Sequence, residues 1–195
     1  MSRSSKIERN TTETKIKLSF ELDGKGTYKI SSGVRFFDHM LELFTKHGRF
    51  DLSIECVGDV DVDAHHSVED IGICLGLAIK EALGDKKGIL RYATAFTPMD
   101  EALSRVSMDI SNRSFLVFNT TFTNDRVGDL PTELVEEFFR AVAFNAGITL
   151  HMNTEYGSNN HHMIEAIFKG FGRALREATR IDPSIEGVMS TKGQL

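Results

Sequence analysis

Apolar and polar residues alternate along several short segments of the chain, which is the pattern of strands that bury one face. Residues 15–22 alternate in this way, and the turn sequence of residues 23–26 separates them from a second short strand at residues 27–30. These two strands are predicted to pair as a β-hairpin. The same patterning predicts further strands at residues 50–56, 93–96, 102–110, 115–122 and 148–152.

A different pattern, with apolar residues at every third or fourth position, predicts helices between these strands. The predicted helices cover residues 34–47, residues 65 or 67 to 83, residues 131–145 and residues 161–179. Gly48, Gly84 and Gly147 follow the first three helices as C-terminal caps, and Pro131 opens the third. Since the helices and most strands occupy separate stretches, we predict an α+β fold, an α/β sandwich whose antiparallel-rich sheets carry their helices on one face.

The order of predicted elements repeats after residue 88, and a short motif repeats with it. The sequence His-His-x-x-Glu occurs at His65, His66 and Glu69 and again, 96 positions later, at His161, His162 and Glu165. The register continues through the pairs Gly76/Gly172, Ala78/Ala174, Glu81/Glu177 and Ala82/Ala178, and a two-residue gap upstream pairs His39 with Glu137. We therefore predict one domain, residues 1–195, built by internal duplication from halves at about residues 6–88 and 89–184.

The duplicated motif has the residue types and the spacing of a metal site. Adjacent side chains on a helix point roughly 100° apart, so the two histidines of one motif are placed to serve different ions. Two ions shared between two equivalent helices would use five imidazoles and three carboxylates: His39, His65, His66, His161, His162, Glu69, Glu137 and Glu165. Four ligands each would leave open positions on a six-coordinate ion, and nitrogen and oxygen ligands without sulfur indicate manganese, iron, cobalt or zinc, with manganese favoured. One such motif alone is equally well explained by capping or solvent-facing histidines; its repetition favours metal binding.

Composition narrows the class of protein further. The 195 residues carry 23 Lys and Arg against 28 Asp and Glu, a net charge of −5 with both signs interspersed. This balance argues against electrostatic binding to nucleic acid or anionic lipid. Cys56 and Cys74 lie in apolar segments and are predicted to be core residues of a protein from a reducing compartment. Without a stretch of roughly 18 apolar residues or an apolar leader, the sequence predicts a cytoplasmic protein with no membrane partner.

A run of three aspartates precedes the first double-histidine motif. Asp59-x-Asp61-x-Asp63 resembles the start of a calcium loop, but the sixth position is Ala64 instead of glycine and the twelfth is Asp70 instead of glutamate. We interpret the three aspartates as the polar face of an edge strand. The sequence contains no phosphate-binding loop or dinucleotide fingerprint, so no nucleotide cofactor is indicated.

Longer motifs extend over most of the chain. They are FFDHMLELFTKHG, DAHHSVEDIGICLG, NNHHMIEAIFKGFGRAL, the N-terminal Arg9-x-Thr11-x-Glu13-Thr14 and the C-terminal Ser190-Thr191-Lys192-Gly193. Together they resemble the imidazoleglycerol-phosphate dehydratase family of histidine biosynthesis. The resemblance implies two similar halves, each a four-stranded mixed sheet with two helices on one face. It also implies an enzyme with two Mn²⁺ ions per active site that removes water from imidazole glycerol phosphate to give imidazole acetol phosphate, in a homo-oligomer of 24 subunits with sites between subunits.

The same resemblance assigns roles to individual residues. It places metal ligands at His39, His65, His66, Glu69, His161, His162 and Glu165, with Glu137 standing where many relatives have histidine. It places substrate contacts at Glu13, His39, His47, Arg91, Arg113, Lys169, Ser190, Thr191 and Lys192, the last three in a substrate loop at residues 185–195. Glu13 is the candidate for moving the proton, with Glu69 and Glu165 assisting.

The implied reaction fits these residue types. Loss of a hydroxyl next to an imidazole ring is easier when both ring nitrogens have an acceptor, which two ions provide. The cations Arg91, Arg113, Lys169 and Lys192, with Ser190, would hold the phosphate through charge-assisted hydrogen bonds. Two other classes remain open. One is a dinuclear metallohydrolase of a small phosphorylated substrate, and the other is a non-catalytic, ferritin-like metal cage, which the abundant strands disfavour.

Overall fold

A computed structural model describes residues 3–195, and residues 1–2 lie outside the described range. The helices in that range are α1 (Arg35–Gly48), α2 (His65–Leu83), α3 (Glu133–Ala146) and α4 (Asn160–Ala178). The strands of the first half are β1 (Ser4–Asn10), β2 (Thr14–Glu21), β3 (Tyr28–Ser31) and β4 (Asp51–Gly58). Those of the second half are β5 (Tyr92–Met99), β6 (Ala102–Asp109), β7 (Phe115–Asn119), β8 (Arg126–Val127), β9 (Leu130–Pro131) and β10 (Thr149–Tyr156). None of the described helices is long and apolar enough to span a membrane.

Each half folds into a four-stranded mixed sheet, and the two sheets have the same strand order. The first is β1-β2-β4-β3 and the second is β5-β6-β10-β7. The last strand of each order runs parallel to its neighbour, whereas the other pairs are antiparallel. Helices also occupy equivalent places, with α1 and α3 before the third strand of the order and α2 and α4 after it. The structure therefore confirms the predicted α+β fold and its internal duplication.

The predicted hairpin between residues 15–22 and 27–30 is wrong. Strand β2 pairs with β1 and β4, and β3 lies on the far side of β4 and parallel to it. The reason is the Asp51 carboxylate, whose Oδ1 accepts the N–H groups of Lys25 at 2.9 Å and Thr27 at 2.8 Å. This side chain at the start of β4 holds the turn against β4 and so directs the chain past it.

Other local predictions also need correction. The aspartates at positions 59, 61 and 63 do not form an edge strand, because β4 ends at Gly58 and the Val62 N–H closes a turn on the Asp59 carbonyl at 2.8 Å. Pro131 does not open α3 but lies in the short strand β9, which pairs with β8. Strand β1 was not predicted, because its inward side chains are mostly polar and Ile7 alone gives no alternation.

The helices of the two halves pack against one another between the sheets. Helix α2 lies on β1 and β2, α4 lies on β5 and β6, and the cross-half pairs α1 with α4 and α2 with α3 are in contact. Phenylalanines fill this layer: the rings of Phe37 and Phe138 are 5.1 Å apart, and Phe44 stacks on Phe171 at 5.2 Å. Cys56 and Cys74 are buried free thiols, as predicted. The limits expected for the two halves and for the loop at residues 185–195 stay predictions.

Two equivalent glycines set how closely the helices approach. A Cβ atom on Gly172 of α4 would lie 2.5 Å from the carbonyl oxygen of Phe44 on α1. A Cβ atom on its counterpart Gly76 of α2 would lie 2.7 Å from the carbonyl oxygen of Val142 on α3. Real Cβ atoms essentially never make contacts this short, so both helix pairs depend on the missing side chain. The α1–α4 approach matters for the site, because a cluster of candidate ligands bridges that pair.

Candidate metal centre

His39, His161 and Glu165 come together where α1 meets the first turns of α4. Oε1 of Glu165 lies 3.0 Å from Nε2 of His39 and 3.2 Å from Nε2 of His161. The Asn159 side chain caps α4 by accepting the His161 N–H at 2.9 Å, which starts the helix at this motif. Within residues 3–195 this is the only group of three or more His, Cys, Asp or Glu whose ligand atoms all lie within 4.8 Å of one another.

Glu165 carries a negative charge into this group. Its side chain is 8% exposed, and its second oxygen, Oε2, accepts a hydrogen bond from Lys169 Nζ at 2.6 Å. Burial raises the pKa of the Glu165 carboxyl, but the hydrogen bonds from Lys169 and His39 and the charge of Lys169 outweigh it and lower the pKa from 4.5 to about 2. Two imidazole nitrogens and one carboxylate oxygen are a donor set that suits Mn²⁺, Fe²⁺, Co²⁺ or Zn²⁺.

His162 lies apart from this group, as expected for the next residue on a helix. Its Nδ1 is 2.6 Å from Oε2 of Glu101, in the turn between β5 and β6. The other oxygen of Glu101 accepts the N–H groups of Ser158 at 3.2 Å and Asn159 at 2.8 Å. The hydrogen bond to His162 lowers the pKa of Glu101 from 4.5 to about 2 and raises the pKa of His162.

The first copy of the motif is arranged similarly but more loosely. Nε2 of His65 is 3.9 Å from Oε2 of Glu69. Nδ1 of His66 is 3.1 Å from Oδ2 of Asp59, whose hydrogen bond raises the His66 pKa, and Nε2 of His66 is 3.7 Å from Oε1 of Glu13. Within residues 3–195, no third His, Cys, Asp or Glu joins His65 and Glu69 in a group whose ligand atoms all lie within 4.8 Å of one another.

Glu137 lies on α3, which packs against α2 and so places it on the same helix pair as His65 and Glu69. Its nearest ionic partner is Arg140, with Nε 3.5 Å from Oε2 of Glu137. Its side chain is 36% exposed and is not drawn into a ligand group among the described residues. Its ligand role stays a prediction.

The expected phosphate-binding residues fall into two separate places. Arg91 donates to both oxygens of Asp109, at 2.7 and 3.1 Å, and to the backbone carbonyl of Met189 at 2.6 Å. Arg113 also reaches Asp109, at 3.3 Å. The Met189 contact brings Ser190, Thr191 and Lys192, which follow it in the chain, to the same end of the second sheet.

Lys169 lies at the opposite end of that sheet, and His47 lies nearer the middle of β5, close to Thr94 and Phe96. Nζ of Lys169 is 3.2 Å from the sulfur of Met99, the last residue of β5, whereas Arg91 immediately precedes β5. The eight residue steps between Arg91 and Met99 span about 26 Å at roughly 3.3 Å per residue. Burial and the positive charges of Lys169 and Arg173 lower the pKa of His47. One small phosphate cannot touch Arg91 and Lys169 of the same chain.

Glu101 and Asp109 are contact residues that the sequence does not indicate, and Asp59 is one that its pattern assigns to a polar strand face instead. In that order, they hold residues predicted for the site: His162, the pair Arg91 and Arg113, and His66. A general rule predicts carboxylates beside His66 and His162, since a metal-binding histidine usually donates its second ring N–H to a carboxylate. Which carboxylate supplies it depends on the fold, and the sequence alone gave no choice among the acidic residues.

Fold and ligand cluster together define a class of protein: a duplicated α+β chain with a histidine–carboxylate centre suited to a divalent transition metal. The imidazoleglycerol-phosphate dehydratase family model matches residues 32–175. Curated dehydratases of that name from Alkaliphilus metalliredigens and Acetivibrio thermocellus are 63% and 61% identical over 195 residues, covering 100% of each chain. The chain belongs to the imidazoleglycerol-phosphate dehydratase family, which confirms the resemblance read from its motifs.

Solved structures agree with this assignment. The crystal structure of imidazoleglycerol-phosphate dehydratase from Staphylococcus aureus is 45% identical with a TM-score of 0.84, covering 92% of this chain and 99% of that one. The Pyrococcus furiosus protein, crystallised in complex with (S)-C348, is 35% identical with a TM-score of 0.83, covering 97% of this chain and 100% of that one. The similarity therefore extends over both halves of the fold.

Proposed function

We propose that this chain catalyses the dehydration of imidazole glycerol phosphate to imidazole acetol phosphate in histidine biosynthesis, using two Mn²⁺ ions per active site. The observation that carries the proposal is the convergence of His39, His161 and Glu165, found in a chain similar over its full length to imidazoleglycerol-phosphate dehydratases. We further propose a homo-oligomer of 24 subunits with active sites between subunits.

The donor set fits the proposed ions. His39, His161 and Glu165 offer one ligand set, and the repeated motif offers His65 and Glu69 for a second. His66 and His162 lie beside these sets on their helices and face other directions, so each is available to the other ion. When bound, the two ions would supply Lewis acidity that makes the ring proton of the substrate easier to lose.

Glu13 is the best placed group for moving the carbon-bound proton. Its side chain is 50% exposed and lies 3.7 Å from His66, so it can meet a substrate held next to that histidine. Glu165 is less suited, because Lys169, His39 and His161 already occupy its two oxygens. A carboxylate with a free oxygen is what general acid–base transfer to carbon and to the leaving hydroxyl requires.

The separation of the cations supports active sites between subunits. The Arg91 and Arg113 cluster lies about 26 Å from Lys169 along β5, whereas the substrate is a single small molecule. The phosphate could then be held by Lys169 and His47 of one chain and by Arg91, with the adjoining C-terminal segment, of another. Such an arrangement would make the homo-oligomer a condition of activity.

The proposal is tested by stripping the protein with a chelator, restoring Mn²⁺, adding imidazole glycerol phosphate and measuring the ketone product. Ketone formation that depends on Mn²⁺ is the expected result. Its absence would refute the dehydratase, and release of inorganic phosphate instead would favour a metallohydrolase. The particle mass, measured by light scattering after gel filtration, tests the 24 subunits.

Single-site variants test whether both motifs serve one centre. His65→Ala and His161→Ala should each lose activity together with bound Mn²⁺, because the ions are shared between the two halves. His151→Ala on β10 removes an exposed histidine outside both motifs and is the matched control. Full metal content in both motif variants would contradict the shared centre.

A further inference from the structure

Each double-histidine motif has a carboxylate on Nδ1 of its second histidine. Glu101 meets His162 at 2.6 Å, and Asp59 meets His66 at 3.1 and 3.2 Å through its two oxygens. The two carboxylates are not at equivalent positions in the repeat, since β4 and β10 are offset by 98 residues and Asp59 therefore corresponds to position 157 and not to 101. Glu101 comes from the turn between β5 and β6 and Asp59 from the turn after β4. The two halves therefore reach the same contact from different loops, which indicates a requirement for the contact itself.

The chemistry of the contact determines which ring nitrogen is free. A carboxylate oxygen accepts hydrogen bonds and has no proton to donate, so Nδ1 of each histidine must carry the hydrogen. In the neutral ring the other nitrogen, Nε2, then has its lone pair available for a metal ion. Without the carboxylate, a neutral imidazole can place its hydrogen on either nitrogen and its ring can turn.

We propose that Glu101 and Asp59 are positioning residues that fix the tautomer and the ring orientation of His162 and His66, so that Nε2 is the metal-binding atom. This inference rests on the proposed Mn²⁺-dependent function. It assigns the two carboxylates a role outside the ligand set, since each acts on the ion only through its histidine.

The two carboxylates are anchored differently, and this gives the proposal a sharp test. Oε1 of Glu101 is held by the N–H groups of Ser158 and Asn159, so only Oε2 faces the ring. In Glu101→Gln the side-chain carbonyl would stay on those N–H groups, and the amide NH₂ would face the ring of His162. Nδ1 would then have to accept, which leaves the hydrogen on Nε2 and blocks metal binding.

Asp59→Asn should behave differently. Both oxygens of Asp59 face His66 at similar distances, and no other donor to this carboxylate is found within residues 3–195. The asparagine carbonyl can therefore turn toward Nδ1 and keep it protonated. The same kind of substitution is thus expected to be damaging at Glu101 and mild at Asp59.

Mn²⁺ affinity of the full-length, chelator-stripped protein is the first measurement, by isothermal titration calorimetry with MnCl₂. Glu101→Gln should weaken the affinity by about 10–100-fold, the range found when such outer partners are removed. Asp59→Asn should weaken the Mn²⁺ affinity less. Glu155→Gln, a matched substitution in the ion pair with Arg105, should bind Mn²⁺ as tightly as the wild type does. If Glu101→Gln fails to fold, Asp59→Ala, which removes the acceptor from His66, provides the same test.

The second measurement follows the tautomer directly and does not depend on activity. Ring ¹⁵N spectra of histidine-labelled, metal-free protein distinguish hydrogen on Nδ1 from hydrogen on Nε2, and Glu101→Gln should convert one of the seven histidines. Unchanged affinity or an unchanged ring spectrum in Glu101→Gln would overturn the proposal. If wild type binds Mn²⁺ and the variant changes as expected but no ketone is formed, the dehydratase function fails and the positioning role stands.

Discussion

Replacing Gly172 by alanine should disturb both the packing of α4 on α1 and the candidate metal centre that this pair holds. The new Cβ would lie 2.5 Å from the carbonyl oxygen of Phe44, whereas ordinary contacts begin at 3.4 Å, so the helices must separate by about 0.9 Å. The obstacle is backbone, which cannot rotate away as a side chain would. His39 on α1 and Glu165 on α4 are joined across the same helix pair at 3.0 Å.

The size of the effect follows from two opposing terms. Overpacking a well-filled interior costs about 1–3 kcal/mol, and alanine in place of glycine returns about 1 kcal/mol through helix propensity. We therefore expect Gly172→Ala to lower the free energy of unfolding by about 1 kcal/mol. Functional constellations tolerate displacements of only about 0.5 Å, so Mn²⁺ affinity should fall as well.

Urea denaturation at a fixed protein concentration measures the first effect, and calorimetric titration with MnCl₂ measures the second. Glu177→Ala, an exposed position on the same helix, controls for alanine substitution and should change stability by no more than about 0.5 kcal/mol. If Gly172→Ala is as stable as wild type and binds Mn²⁺ as tightly, the close approach of α1 and α4 does not hold the centre together.

Three further changes have defined outcomes. Phe138→Ala removes a buried ring that contacts three other phenylalanines, so urea unfolding should show a loss of about 3–5 kcal/mol, and a loss below about 1 kcal/mol would contradict this packing. Arg91→Lys cannot make the paired hydrogen bonds to Asp109, so the KM for imidazole glycerol phosphate should rise with bound Mn²⁺ unchanged, and metal loss would oppose the assignment. Burial raises the pKa of Asp51, but hydrogen bonds from backbone N–H groups outweigh this effect, and the pKa is lowered overall. The Asp51 carboxylate therefore stabilises the fold above about pH 4, and this stabilisation is lost as the pH falls. The difference in melting temperature between wild type and Asp51→Asn should accordingly shrink below about pH 4, and a constant difference would contradict the role of the carboxylate.

The local periodicity of apolar residues is sufficient to predict the four helices but not the order of the strands in each sheet. Helix α2 begins at His65 and is capped by Gly84, and α3 is capped by Gly147, as their sequences indicated. The predicted cap Gly48 is instead the last residue of α1, and Arg49 caps that helix. The position of β3 could not be predicted, because it depends on the Asp51 carboxylate, which is distant in sequence from the turn it binds. A turn sequence between two short strands favours a hairpin only when nothing else competes for the turn.

The duplicated motif predicted the candidate centre better than any single residue did. The repeat placed His65 and His161 at equivalent helix starts, and the structure has them there. What the repeat could not show is the difference between the copies: Glu165 gathers His39 and His161, whereas Glu69 lies 3.9 Å from His65 with no third ligand at that spacing in the described residues. The copies also differ at the position that the repeat pairs, which is His39 on α1 and Glu137 on α3.

The number of Mn²⁺ ions needed for activity tests the shared centre most directly. Chelator-stripped protein is titrated with MnCl₂ while the rate of ketone formation from imidazole glycerol phosphate is measured. Two duplicated halves that share two ions in one active site per chain predict no activity without metal and a plateau at two ions per chain. Full activity in the stripped protein, or a plateau reached at one ion per chain, would contradict a centre built from both copies of the motif.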